Sequence, residues 1–378
     1  MKIYPSTDYM KLARRCRNSR RSYLFVNPLQ AKHIPAAPSE ALAMMYSLGN
    51  EIKNHYSTVD LVIGFAETAT AIGLSVSHAL HAPYIHTTRE SLENEKEWII
   101  FREEHSHAQE QKLYGEFLKE RCANARTIVL VDDELSTGKT VRNMIYQLRR
   151  EYRELSETKF IAASILYRLN EDSEKEMERM GIESIYLSRL PELDYETAVS
   201  QWETNEPDPI CMADPSENEP CFSGIPGDNP RLGIVPEHYL AAWDAYTQRI
   251  CGNLGQPSGR NILVLGTEEC MMPALILGKR LESMGNRVRC HATTRSPIGI
   301  STKEAYPIFR GRQLHSFYDE KRVTYIYDLA KYDLALVVSD AGSWKEKAAR
   351  SLRGALREQG CEKLIWIGGN RDVQHLSP

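Results

Sequence analysis

The stretch Thr127 to Thr140 reads TIVLVDDELSTGKT and concentrates side chains able to do chemistry. Asp132 and Asp133 are adjacent carboxylates, which accept hydrogen bonds from neighbouring hydroxyls or hold a divalent cation. Ser136, Thr137, Gly138, Lys139 and Thr140 follow, small and hydroxyl-bearing residues around one glycine, and the helical pattern VRNMIYQLRR then begins. Backbone amides in such a turn, with the unbonded amides of a helix's first turn, form a cradle for a phosphate. Each helix-end charge interaction contributes roughly 0.3 to 1 kcal/mol. A ligand that answers both features carries vicinal hydroxyls and a monophosphate close together, as ribose 5-phosphate does.

Three other patterns compete. The ATP-binding P-loop is G-x-x-x-x-G-K-[ST], and Asp133 stands where its first glycine is needed, so Gly138, Lys139 and Thr140 match only its tail. A carboxylate there repels a triphosphate. A paired-acid pocket for Mg²⁺ accounts for the acids but leaves the STGKT turn unexplained. An ordinary capped strand-to-helix turn is the remaining reading.

The elements that position these residues follow from hydrophobic patterning. Ile128 to Val131 is an unbroken β-branched and leucine run, the pattern of a strand buried on both faces of a parallel sheet. The acids therefore fall at its carboxyl end, where open α/β sheets place their ligands. Val141, Met144, Ile145 and Leu148 recur at helical spacing after the turn. Leu61 to Phe65 (LVIGF) is a second buried strand and leads through Ala66, Glu67, Thr68, Ala69 and Thr70 to the helix IGLSVSHAL. Tyr23 to Val26, Phe160 to Tyr167 and Ile182 to Leu187 supply further strands, and Ser39 reads as the N-cap of EALAMMYSLGNEIKNHY. Lys32 and His33 sit in the proline-containing loop LQAKHIPAAP, at the surface or within reach of a ligand.

The segment VLVDDELSTGKT resembles the phosphoribosyl pyrophosphate (PRPP) signature of type I phosphoribosyltransferases: an apolar strand, two acids and a small-residue phosphate loop. HATTRSPIG at His291 to Gly299 contains the Thr-Arg-Ser-Pro string of the TRSP domain, which stands behind a phosphoribosyltransferase domain in bacterial proteins associated with tellurite-resistance gene clusters. Together the two resemblances cover most of the chain. They imply that Asp132 and Asp133 orient the ribose hydroxyls and carry Mg²⁺, and that residues 136 to 140 hold the 5-phosphate. They also imply that Glu67, Thr68, Ala69 and Thr70 form the pyrophosphate loop, where small residues let the peptide approach the anion. Glu67 is the odd member there, an acid that must meet Mg²⁺ or point away. The charged segment His86 to His107 occupies the place of the family's mobile lid, which makes Arg89, Arg102, His105 and His107 candidate anion contacts, with Arg102 and His105 nearest the chemistry. A solvated charged hairpin has the same composition.

At 378 residues the chain is too long for one ordinary core. The expected division is a phosphoribosyltransferase domain over 1–190, a proline-rich acidic connector over 191–235 and a TRSP-type α/β domain over 236–378. A connector of that length is unusual unless it covers something. The fold class expected is α/β throughout, a type I phosphoribosyltransferase-like parallel sheet followed by a second, Rossmann-like domain. In the second domain Ile262 to Leu265, Val288 to Ala292, Leu334 to Val338 and Leu364 to Ile367 read as strands, with helices over 270–285 and from about 344 to 357. Their ends carry Gly266, Thr267 and Glu268 on one strand and Thr294, Arg295 and Ser296 on the next, which suggests one shared crevice. Arg295 there has the fork that grips a carboxylate or phosphate at two points; the string can equally end a strand and cap a turn.

A formal charge of −4 gives no electrostatic reason to expect nucleic acid. The cluster Arg14, Arg15, Arg17, Arg20 and Arg21 is short and lacks interleaved aromatics, a solvated or phosphate-facing segment. The eight cysteines occur singly, which fits a reducing cytoplasm, and no run of 18 apolar residues indicates a membrane span. The function expected is Mg²⁺-dependent transfer of ribose 5-phosphate from PRPP to an acceptor that the sequence does not encode legibly, in a specialised biosynthetic or tellurite-stress pathway. The alternatives are a PRPP-sensing regulator and a docking subunit for a partner enzyme. The family's frequent dimers suggest a homodimer.

Overall fold

The computed structural model describes residues 10–16, 21–92, 97–101, 110–215 and 219–369. The described chain opens with an antiparallel hairpin, β1 (Lys11–Arg14) and β2 (Tyr23–Val26), and a helix, α1 (Pro38–His55). Contacts group the whole into two compact units. Among the described residues one comprises 43–192 and 227–242, the other 10–42, 193–226 and 243–369. Neither is continuous in sequence: the opening hairpin and the loop after it pack with the carboxyl-terminal sheet, and part of the proline-rich stretch returns to the first unit.

In the first unit the apolar runs become β3 (Leu61–Gly64), β4 (Tyr84–His86), β7 (Thr127–Leu135), β8 (Lys159–Tyr167) and β9 (Ile182–Arg189), with a separate hairpin, β5 (Trp98–Phe101) and β6 (Gln111–Tyr114). The sheet is parallel, in the order β4-β3-β7-β8-β9. Helices α2 (Thr70–Leu80), α3 (Gly115–Cys122), α4 (Lys139–Glu151) and α5 (Glu171–Arg179) lie among these strands in sequence. The helical spacing of Val141, Met144, Ile145 and Leu148 is realised in α4, whose apolar stripe packs on Ile128, Leu130, Phe160 and Ala162 of the sheet. Burial of each such side chain contributes about 1.5 to 3 kcal/mol. From β3 the chain passes to β4 on one side and returns to β7 on the other, so the carboxyl ends of β3 and β7 flank the switch point of the sheet.

Two glycines set how closely α2 lies on β3. A Cβ on Gly64 would meet the Tyr84 hydroxyl at 2.5 Å, and one on Gly73 would meet the Tyr84 ring at 2.8 Å and the Gly64 Cα at 3.1 Å. Tyr84 is fully buried in the space they leave, and its hydroxyl donates to the Thr70 carbonyl at 2.7 Å.

The second unit contains α6 (Tyr195–Ser200), β10 (Cys221–Phe222), β11 (Asn261–Gly266), α8 (Met272–Ser283), β12 (Arg287–Ala292), the hairpin β13 (Gly311–His315) and β14 (Val323–Tyr327), β15 (Leu334–Ser339), α9 (Glu346–Glu358) and β16 (Leu364–Gly368). Helix α7 (Pro236–Asn253) begins in the first unit and ends in this one. The main sheet is again parallel, in the order β10-β16-β15-β11-β12. Strand β11 lies between β12 and β15 as β3 lies between β4 and β7. The switch point is therefore flanked by the carboxyl ends of β11 and β15.

The stretch expected to be a long proline-rich connector is in part regular, and its first portion lies on the second unit. Asn205 bridges to Ile300, Asp208 bridges to Arg312, and β10 adds an edge strand to β16. Glu219 takes a two-pronged grip from Arg353, with Nε to Oε1 at 2.8 Å and Nη2 to Oε2 at 2.6 Å, and the Trp366 indole also donates to it at 2.8 Å. Gly354 lets the backbone pass, since a Cβ there would meet the Cys211 carbonyl oxygen at 2.3 Å. Side-chain anchors spaced without period explain why this stretch carries no helical or strand signature.

Candidate functional site

In the first unit the two acids and the loop after β3 come together. Strand β7 runs four residues beyond the expected Ile128–Val131, through Leu135, because Asp132, Glu134 and Leu135 remain in the ladder with β8. Asp132, Asp133 and Glu134 are half-buried. The Asp133 amide donates to Asp132 Oδ1 at 2.9 Å, and Thr68 Oγ1 donates to Asp133 Oδ1 at 2.9 Å. Burial, and then the neighbouring Asp133 charge, hold the Asp132 carboxyl well above the usual carboxylate range. Burial raises Asp133 also, while the Thr68 hydroxyl works against that rise. Glu134, the third acid in the row, is neutralised by Arg168, whose Nε lies 2.5 Å from its Oε1.

The loop after β3 is tied on both sides. The Phe65 amide donates to the Val131 carbonyl of β7 at 2.9 Å, and the Ala66 amide to Thr87 Oγ1 at 2.9 Å. The Ala66–Glu67 peptide bond is cis. Ala69 is buried, Glu67 and Thr68 are half-buried, and Thr70 begins α2. The Thr87 hydroxyl in turn donates to Gln111 Oε1 at 2.7 Å, and Thr88 and Lys112 exchange two backbone hydrogen bonds of 2.9 Å. The base of the β5–β6 hairpin is thereby fixed to the loop.

Beyond the acids, Gly138 has φ +64° and caps α4, while Lys139 is the first residue of that helix. A Cβ on Gly138 would also lie 3.1 Å from Met177 Sδ. Ser136 and Thr140 are half-buried, and Thr137 and Lys139 are exposed at the mouth of the turn. The arrangement can accept hydrogen bonds from a diol at the carboxylates and offer amides to an anion at the start of α4.

Comparison with known proteins places the two halves separately. A family model described as "Phosphoribosyl transferase" matches residues 9–187, and one described as "TRSP domain C terminus to PRTase_2" matches residues 228–356. The chain belongs to the phosphoribosyltransferase family that carries a TRSP domain behind it. Similar solved structures include adenine phosphoribosyltransferase from Rhodothermus marinus DSM 4252, at 10% identity over 49% of this chain and 96% of that one, with a TM-score of 0.37. The APRTase from Giardia lamblia complexed with 9-deazaadenine matches at 14% identity over 51% and 99%, with a TM-score of 0.37. Orotate phosphoribosyltransferase from Aeropyrum pernix matches at 17% identity over 43% and 76%, with a TM-score of 0.28. A comparison with curated sequences returns no match.

Within the phosphoribosyltransferase region, Arg89 is half-buried between β4 and β5, whereas Arg102, His105 and His107 lie outside the described residues. Thr87, Gln111 and Arg168 were not singled out from sequence. A row of three acids asks for a cation, which is the signal that points to Arg168; the HTT string after β4 gives no comparable signal for Thr87.

In the TRSP region, Gly266 ends β11 so tightly that a Cβ would meet the Cys270 carbonyl oxygen at 2.1 Å. Thr267 and Glu268 follow it, fully buried, with Glu268 at φ +46°. Arg295 does grip at two points, but its partners belong to the chain: Nε to Glu268 Oε2 at 2.9 Å and Nη2 to Glu269 Oε1 at 3.2 Å. Thr294 exchanges backbone hydrogen bonds with Tyr325 of β14, and its hydroxyl accepts from the Ser296 amide at 3.2 Å. Lys32, in a loop read as surface or ligand-reaching, is fully buried and donates to the carbonyls of Glu268 at 2.8 Å and Thr293 at 3.0 Å. It joins the ends of β11 and β12. Among the described residues no helix is long and apolar enough to cross a membrane.

Proposed function

We propose that the amino-terminal unit transfers ribose 5-phosphate from PRPP to an acceptor, with release of pyrophosphate and dependence on Mg²⁺. The observation that supports this most is the Thr68–Asp133 hydrogen bond, which joins the loop assigned to pyrophosphate to the acids assigned to the diol. Asp132 and Asp133 accept from the two ribose hydroxyls. Ser136 to Thr140 and the first amides of α4 hold the 5-phosphate, and the loop of residues 67 to 70, whose Ala69 amide is held by the Phe65 carbonyl at 3.0 Å, faces the departing pyrophosphate.

Breaking the bond between C1 and pyrophosphate develops positive charge on the ribose ring and negative charge on the leaving group. The protein's part is to fix both ends of the donor and leave the anomeric carbon open to the acceptor. The carboxylates fit a hard divalent cation: burial raises both acids and the Asp133 charge raises Asp132 further, a cost that is lost beside a positive charge. Asp132, directly or through water, is the residue assigned to Mg²⁺, which takes further ligands from substrate oxygens and water. When bound, Mg²⁺ neutralises charge developing on the pyrophosphate. Lys139, exposed at the mouth of the turn, faces phosphate or solvent and moves no proton.

The test is incubation of the protein with PRPP, Mg²⁺ and a panel containing a purine, orotate, an amine and a cell extract, read by mass. A product heavier by one ribosyl phosphate supports the assignment. PRPP binding without any ribosylated product from the panel would favour a sensor instead.

A further inference from the structure

The end of β4 holds the loop after β3 with a side chain as well as with its backbone. Gly64 and His86 are the last residues paired between these strands, and one residue further on the Thr87 amide donates to the Gly64 carbonyl at 2.9 Å. Beyond that bond side chains take over from the ladder. The Ala66 amide donates to Thr87 Oγ1 at 2.9 Å, and Thr87 Oγ1 donates to Gln111 Oε1 at 2.7 Å.

Chemistry fixes the direction of this chain. Thr87 is fully buried and Ala66 is buried, so the amide needs an acceptor and the hydroxyl proton needs one too. A hydroxyl has lone pairs for the amide and one proton to give, and a carboxamide oxygen receives that proton. Gln111 opens β6, half-buried, and among the described residues its side chain makes this hydrogen bond and no other. Valine at position 87 would keep the shape and leave the Ala66 amide unpaired. Leucine at position 111 would do the same to the Thr87 proton.

Strand register does not require these two bonds, because they lie past the last backbone bond between β3 and β4. What they fix is the peptide that leads into residues 67 to 70. Two other ties of that loop run to β7: the Phe65 amide to the Val131 carbonyl at 2.9 Å, and Thr68 Oγ1 to Asp133 Oδ1 at 2.9 Å. Thr87 ties it from the opposite flank, at the end of β4. The loop's separation from the acids is therefore set from both sides. We infer that Thr87 and Gln111 are positioning residues for the pyrophosphate end of the donor, a role that rests on the transfer proposed above. They hold that end without touching the groups assigned to the ribose phosphate.

The test is titration calorimetry on the full chain with Mg²⁺, using pyrophosphate, PRPP and ribose 5-phosphate as separate probes. Thr87→Val and Gln111→Leu should each weaken pyrophosphate and PRPP by about tenfold, the effect of one lost hydrogen bond. Ribose 5-phosphate should bind both variants as it binds the native chain. Thr87→Ser keeps the hydroxyl and should restore the native affinities. Gln111 is only half-buried, so its variant decides the matter by the same split if Thr87→Val does not fold. An equal fall for ribose 5-phosphate and pyrophosphate would reduce the pair to general support of the fold and overturns the proposal. Native pyrophosphate affinity in both variants overturns it as well, and leaves the transfer reading standing. A native chain that binds neither pyrophosphate nor PRPP removes the transfer reading and this role together.

Discussion

Thr68 Oγ1 lies 2.9 Å from Asp133 Oδ1 and donates to it, a contact between residues 65 positions apart that exists because β3 and β7 are neighbours in the sheet. The hydroxyl that sequence assigned to pyrophosphate is thus engaged with an acid that sequence assigned to the diol.

Thr68→Val should lower PRPP turnover by about tenfold or more, since a hydrogen bond to a charged group contributes about 1.5 to 3 kcal/mol. Thr68→Ser should restore most of it. Because the Thr68 hydroxyl lowers the Asp133 pKa, its removal should move the acid limb of the pH–rate profile to higher pH. A uniform fall in rate with an unmoved limb would reduce Thr68 to a packing role.

Asp132→Asn should abolish turnover and yet raise the melting temperature of the ligand-free protein at neutral pH. The Asp132 carboxyl is raised in the folded state, so its ionised form is worse accommodated there than in the unfolded chain. Its favourable contribution is present below the ordinary carboxylate pKa and is lost as pH rises through the folded value. Melts of both proteins across pH should converge in acid and separate toward pH 7; a lower melt for the variant at neutral pH contradicts the burial argument.

Gly138→Ala should destabilise the protein by roughly 1 to 2 kcal/mol, the cost of a left-handed residue with a side chain, with a further contribution from Met177 at 3.1 Å. Urea unfolding measures the first, and PRPP affinity should fall with it because the turn moves.

The strands were legible where burial on both faces demanded unbroken apolar runs, as at Leu61–Gly64, Ile128–Val131 and Leu334–Ser339. The hairpin β13–β14 was not, and a hairpin near β5–β6 was only one of two readings of the charged segment, because QKLY and GRQLH mix charge with apolar residues over four or five positions. Acids followed by a glycine turn announced the first site within fourteen residues of sequence. Thr68 was legible as part of the loop after the second strand, but its pairing with Asp133 is brought in by strand order, which no local pattern encodes, as is Arg168 beside Glu134. The discontinuous units were equally hidden: Ala36 pairs with Cys290 and Arg15 with Ile298 across most of the chain.

Acid should loosen the second unit before carboxylate protonation does. Burial, then the charge of Lys32, lowers His33 to about 3, and burial lowers His291 to about 4. Both stay neutral in the folded state while the unfolded chain takes up protons below about 6.5, so stability should fall as pH drops from there toward 4, by up to one proton per histidine. Replacing His291 with Asn should flatten that slope in denaturation curves; an unaltered slope would show that it does not titrate with unfolding.

Pyrophosphate release from PRPP and Mg²⁺, with an acceptor that the native chain ribosylates, is the most direct test of the twin carboxylates. The native protein should release pyrophosphate in step with product, and the folded D132N/D133N protein should release none above background. Release from that variant at near the native rate would contradict the assignment of the diol to Asp132 and Asp133.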